Sequence, residues 1–218
     1  MLELMPRPSA HLIQDVYGAT TMRSIAANEI LTSAIASTSD LSTQFGTDRL
    51  SQQLRMVARM IAARAQLGVK RQVFFVGVGT FDHHDGLVTR HPEMLTQVND
   101  AMSAFYRATE ELNVPNNVTA FTASEFGRTI SSNGDGSDHG WGSHHMVMGG
   151  AVNGREIYGQ APELGNNGPD DVGKGRLIPS TSVDQYAATL GSWFGVNNTE
   201  LNTIFPRLSE FDGTLDFV

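Results

Sequence analysis

The chain has 218 residues and a formal net charge of -8, with 23 acidic against 15 basic residues. At 40% apolar and 17% charged residues, it has the balance of one globular domain, not of a disordered chain. No basic stripe runs along any segment, which argues against a nucleic acid partner. The absence of cysteine excludes disulfides, thiolate metal sites and a cysteine nucleophile, so any metal must be held by His, Asp and Glu. No apolar run is long enough to span a bilayer, and residues 1–20 lack the pattern of a signal peptide. The expectation is a soluble chain with no membrane partner.

Residues 1–20, with Pro6 and Pro8, read as irregular. Met22, Ile25, Ala26, Ile30 and Leu31 have helical spacing over 22–36. Asp48 caps a second helix through about Leu67, with Leu54, Val57 and Ile61 on its apolar face and Gly68 as its stop. The run Gln72–Gly79 is β-branched and aromatic, which predicts a buried strand of a parallel sheet. Pro92 suits a first helical turn, and Met94, Leu95, Val98, Met102, Phe105 and Leu112 form one face over 92–113. Val118–Ala123 reads as a second strand and His144–Val152 as a third. Residues 159–176 read as a long surface loop, and Val183–Phe194 as a helix capped by Ser182 or Thr181. The last residues are loosely patterned. The order of elements predicts an α/β fold with a mostly parallel sheet flanked by helices, in a single domain over 1–218. Within it, 1–45 is a lead-in, 46–196 the core and 197–218 a tail.

Open α/β sheets bind ligands at the carboxyl ends of their strands. Six of the seven histidines lie between positions 83 and 145, close to such ends. The first strand runs into Phe81-Asp82-His83-His84-Asp85-Gly86, and the second into Ser124-Glu125-Phe126-Gly127-Arg128. The segment Ser137-Asp138-His139-Gly140 precedes the third. Imidazole with carboxylate suits zinc foremost, with manganese or iron as alternatives. Asp82 and His84 leave one face of an extended chain together, while His83 points away. Glu125 and His144 are further candidate ligands, and Asp138 a candidate ligand or base. Arg128 is a candidate anion clamp. The plainer readings are that Asp138 is a turn residue, Arg128 a plain surface arginine or a structural ion-pair partner, and His144 and His145 strand flanks. His91 reads as a helix-start residue. Ser124 has Thr122 and Phe126 where a nucleophile elbow needs two glycines, so a serine esterase ranks last.

Gly79-Thr80-Phe81-Asp82-His83-His84 resembles the Gly-Gly-Phe-Asp-Thr-His motif of a bacterial family, domain of unknown function 1501. Ser124–Arg128 and Ser137–Gly140 are similar to its two other signatures, and the resemblance covers roughly residues 46–196. That family is similar to the alkaline phosphatase superfamily of phosphatases, sulfatases and phosphoglycerate mutases. The resemblance implies an alkaline-phosphatase-like hydrolase fold with two adjacent metals. By position, Asp82, His84 and His139 would match ligands of one metal. Glu125 would match a ligand of the second, while Phe126 stands where that second metal has a histidine. Family members are commonly about twice this length and exported to the periplasm. The resemblance therefore implies a truncated version, lacking the amino-terminal half that carries the nucleophile.

Three functions follow. In the first, the chain is a metal-dependent hydrolase of phosphate or sulfate esters, acting on a small anionic ester with a metal-bound hydroxide as nucleophile. Glu125, Arg128 and Asp138 are then the catalytic candidates. In the second, it is a non-catalytic metal-binding or interaction module, whose uncovered face is closed by a homo-oligomer or another chain. The third is a serine esterase built on Ser124.

Overall fold

The computed structural model describes residues 11–218. Pro6 and Pro8 of the expected irregular start lie outside the described residues. From Leu12 onward the expectation is corrected: helix α1 runs over Leu12–Ala36. Beyond the prolines, Leu12, Ile13, Val16 and Tyr17 already recur at helical spacing. Those four side chains are exposed, and only the last turn of α1 is buried, through Ala34 and Ile35 packed with Ala63.

Helix α2 covers Arg49–Ala62 and a single turn, α3, covers Arg64–Leu67. Asp48 caps α2 as expected, its carboxylate accepting a 2.9 Å bond from the Ser51 N–H. Gly68 ends α3 at φ 65°, a left-handed conformation that favours glycine. Helix α4, Leu87–Glu111, starts one and a half turns before the expected position. Its first N–H, on Leu87, bonds the Asp135 carbonyl at 3.1 Å, so the start is set by a distant loop. Pro92 therefore lies inside the helix and leaves the Val88 carbonyl without its helical donor. Val88 is 85% exposed, at the solvent face of the helix.

The main core lies between α2 and α4. Leu50, Leu54, Val57 and Ile61 meet Val98, Ala101, Phe105 and Ala108. Glu111, at the end of α4, holds the loop before α2: it accepts bonds from the N–H groups of Ser42 and Thr43 (2.6 and 2.9 Å) and from the Thr43 hydroxyl (2.6 Å). The Thr43 hydroxyl and these amides pull its pKa down to about 2. A depressed carboxyl contributes stability above its unfolded value of roughly 4.3, and the contribution fades as pH falls toward the folded value. Melting temperature is therefore expected to drop between about pH 5 and pH 2, and Glu111→Gln to flatten that slope.

The sheet expectation needs correction. Among the described residues there are two small antiparallel pairs and no parallel one. Strand β1, Thr119–Phe121, pairs with β4, Val147–Gly149, in the register Ala120↔Met148. Strand β2, Gly127–Ser132, pairs with β3, Ser137–Gly140. The turn 133–136 between β2 and β3 is too short for the crossover that parallel strands require. The run Gln72–Gly79 is not a strand buried on both faces. Phe74, Val76 and Val78 pack on the core, whereas Val73 and Phe75 are 78% and 93% exposed. An apolar run predicts burial but cannot say whether a second layer covers its outer face. What stands is a mixture of helix and small sheets.

Residues 159–176 form the expected loop, with an Asp171↔Leu177 bridge at its end. Helix α5, Val183–Phe194, has the expected Ser182 cap, completed by Gln185 into a capping box. A further helix, α6, Asn198–Ile204, repeats that device with Asn197 and Glu200. No helix among the described residues is long and apolar enough to cross a membrane.

Candidate metal centre

The segment after Gly79 turns at Thr80, whose φ is 72°. Phe81 then packs on the core, which sets the phase of the next three residues. Asp82 and His84 emerge on one side and His83 on the other. His83 is 3% exposed and lies among Phe81 and His91, with ring centroids 6.2 and 5.7 Å away. Burial depresses its basicity, as does the nearby His91. His91, expected as a plain helix-start residue, is packing against it from α4.

The β2–β3 hairpin docks on this loop. The Ser137 N–H donates to the His83 carbonyl at 3.2 Å. Gly136 makes the approach possible, since a Cβ there would sit 2.5 Å from the same carbonyl oxygen. In the hairpin register Arg128 faces His139. The Arg128 guanidinium bonds Asp82 Oδ1 at 2.9 Å, the His83 carbonyl at 2.5 Å, Ser137 Oγ at 2.9 Å and the Ser137 carbonyl. With its fork spent on loop and hairpin, Arg128 positions the triad and has little left for an anion.

The result is a triangle of donor atoms. Asp82 Oδ1 lies 3.0 Å from His84 Nε2 and 2.8 Å from His139 Nε2, and the two nitrogens are 3.3 Å apart. Tetrahedral zinc with bonds of 2.0–2.2 Å needs donors about 3.3–3.5 Å apart, so a small outward relaxation admits an ion. Hydrogen bonds from His139 and then from Arg128 keep Asp82 more acidic than an ordinary aspartate, hence anionic and ready to ligate. Asp138 Oδ1 is 3.4 Å from His84 Nδ1 and also accepts from Asn133 at 3.2 Å. With an ion on Nε2, the His84 proton would sit on Nδ1, where Asp138 is placed to accept it. The ring of His139 stacks on Phe126, with centroids 3.8 Å apart and planes 5° from parallel. The three ligands are about half exposed (52%, 50% and 47%), which leaves outer positions open to water or substrate. A cleft of about 420 Å³ adjoins them, lined by Thr80, Asp82, His83, Arg90, Glu93 and Met94.

With the Phe-Asp-x-His loop, the Glu-Phe-Gly-Arg turn and the Asp-His strand now placed together, the comparison with known families is informative. The chain matches the family model described as protein of unknown function (DUF1501) over residues 9–205. It belongs to the DUF1501 family. No curated protein and no solved structure matches it.

In this DUF1501 chain Asp82, His84 and His139 are the group able to hold an ion among the described residues. Glu125 and His144 lie outside that group. Glu125 is exposed in the turn between β1 and β2, and His144 is exposed in the segment before β4. His145 turns away to bond Thr122 Oγ1 at 3.3 Å and stack on Tyr186. The Ser124 hydroxyl donates to the Phe126 carbonyl at 2.9 Å, so it closes a turn instead of facing a histidine. Sequence reasoning gave no role to Asn133, Ser137 or the stacking of Phe126. Asn133-Gly134 was the readable signal, a turn dipeptide that announces the hairpin. Removing the orienting carboxylate tests the arrangement. Asp138→Ala is expected to weaken zinc binding about 10–100-fold, measured by competition with a chromophoric chelator.

Proposed function

We propose that this DUF1501 chain is a metal-dependent hydrolase of phosphate esters, or of related sulfate esters. The observation that carries the reading is the convergence of Asp82, His84 and His139 on one solvent-facing point. Two imidazoles and one carboxylate are the ligand set of open, catalytic zinc sites, which keep a position for water. An ion held there supplies Lewis acidity, easing deprotonation of water and polarising an ester oxygen.

The chain's own residues do the rest. Arg128 and Asp138 hold Asp82 and His84 in place. The cleft beside Asp82 receives the substrate's organic group against Met94 and Thr80. Arg90 supplies positive charge at that cleft, and its 2.6 Å pair with Asp85 is exposed and exchangeable. Glu125, free and exposed next to Phe126, is the candidate base. The superfamily expected from the resemblance, alkaline-phosphatase-like, uses two ions for this chemistry, and the reading here needs one.

The test is metal analysis of the purified chain, followed by assay of aryl phosphate mono-, di- and triesters and aryl sulfates. One ion per chain and turnover abolished by chelator, restored by zinc or manganese, is the expected result. Absence of both bound ion and chelator-sensitive turnover contradicts the reading. A second reading, a non-catalytic metal-binding or interaction module, is favoured by the uncovered face of Val73 and Phe75. It predicts the same ion with no ester turned over.

A further inference from the structure

The run Gln72–Thr80 is a strand in its pattern and not in its pairing. Burial alternates along it: Gln72, Phe74, Val76 and Val78 are half-buried, and Val73, Phe75, Gly77 and Gly79 are exposed. None of its backbone groups bonds another backbone group among the described residues. Gly77 is bonded by a side chain instead: its N–H donates to Gln53 Oε1 and its carbonyl accepts from Gln53 Nε2, both at 3.1 Å, while the Gly79 carbonyl accepts from the neighbouring Thr80 hydroxyl at 2.6 Å. In an extended chain the N–H and C=O of one residue point to the same edge, and those of the next residue to the other. Gln53 therefore occupies the edge shown by Gly77. The opposite edge, shown by Phe74, Val76 and Val78, has no backbone partner among the described residues.

We infer that this open edge pairs antiparallel with the same segment of a second copy, about a two-fold axis at Val76. The register is self-complementary. It sets Phe75 opposite Gly77 and Val73 opposite Gly79 on the exposed face, so each large side chain of one copy covers a glycine of the other. A Cβ at Gly79 would meet nothing within 4 Å, which leaves room for Val73 of the second copy. Phe74, Val76 and Val78 form the hydrogen-bonded positions, and the Phe75–Gly77 pair falls at a non-bonded position, where side chains come closest. Charge agrees with the antiparallel sense. Lys70 and Arg71 precede the segment, whereas Asp82 and Asp85 after it are already paired with Arg128 and Arg90, so the far end is close to neutral. Antiparallel pairing sets the basic end of each copy against that neutral end, and a parallel pairing would set Lys70 and Arg71 of the two copies side by side. Exposed Val73 and Phe75 with unpaired backbone are what an uncovered edge presents for association. The inference is independent of any bound metal.

Sedimentation equilibrium of the full chain tests it. A monomer–dimer equilibrium in the micromolar range is expected. Phe75→Lys is expected to raise the dissociation constant about thirtyfold, with the circular dichroism spectrum unchanged because Phe75 is 93% exposed. Cross-linking tests the register. Directly opposed Cβ atoms lie about 4.5–5.5 Å apart and diagonal ones about 7–8 Å. A mixture of Phe75→Cys and Gly77→Cys chains is therefore expected to form disulfides between the two variants in preference to either with itself. A native chain that stays monomeric, a dimer indifferent to Phe75→Lys, or cross-linking within each variant overturns the inference. So does a different polypeptide found seated on this edge.

Discussion

Replacing His139 by alanine is expected to lower zinc affinity by a factor of about 10²–10³. Structural zinc sites bind with roughly 10–16 kcal/mol shared among four ligands, so one ligand is worth about 3 kcal/mol. His139 occupies one corner of a triangle in which no described carboxylate or imidazole stands as a spare. His84→Ala should match it, since its Nε2 is the third donor. Asp82→Ala should exceed both, because it removes the only negative charge among the ligands and leaves Arg128 beside the ion. The folded chain should survive the His139 change. That side chain is about half exposed, and what it loses within the protein is the stack on Phe126 and the bond to Asp82. Competition titration with a chromophoric chelator measures the affinities, and urea denaturation of the metal-free chain checks the fold.

Arg128→Met is expected to cost about 2–4 kcal/mol of stability as well as metal affinity. The side chain is only 19% exposed and joins three pieces of chain. It bonds the Asp82 carboxylate on the loop, the His83 carbonyl beside it, and both Ser137 oxygens on β3. Removing the guanidinium leaves these part-buried acceptors short of donors, which costs more than the bonds themselves were worth. It also frees the hairpin from the loop, so that His139 drifts from Asp82 and His84. Arg128→Lys keeps the charge but has one ammonium for four acceptors and should recover less than half of the loss. Urea midpoints and zinc titrations on the same samples separate the two effects.

Those two substitutions divide what could be read in advance from what could not. Asp82 and His84 were legible because a two-residue spacing in an extended chain puts both on one face, a local rule. Asp48, Gly68 and Ser182 were legible for the same reason, since caps depend on neighbours a few residues away. His139 came from the histidine density and from a motif, because nothing local ties it to a loop 55 residues earlier. For Arg128 the sequence leaves two readings, an anion clamp and a structural ion-pair partner, and only the hairpin register shows its fork filled by the second. The strands of the hairpin are hard to read in the polar composition of Gly127–Ser132, which lacks an apolar alternation, and Asn133-Gly134 is the local signal for the turn alone. The largest miss, Gln72–Gly79, is a matter of partners. Its pattern is that of a strand, and pairing is a property of what lies beside it.

The central claim is that one ion sits between Asp82, His84 and His139. Anomalous scattering from crystals grown with zinc and without chelator tests it most directly. One strong peak is expected about 2.0–2.2 Å from Asp82 Oδ1 and from the Nε2 atoms of His84 and His139. A zinc-soaked crystal with no peak there, or with its ion bound elsewhere on the chain, would contradict it.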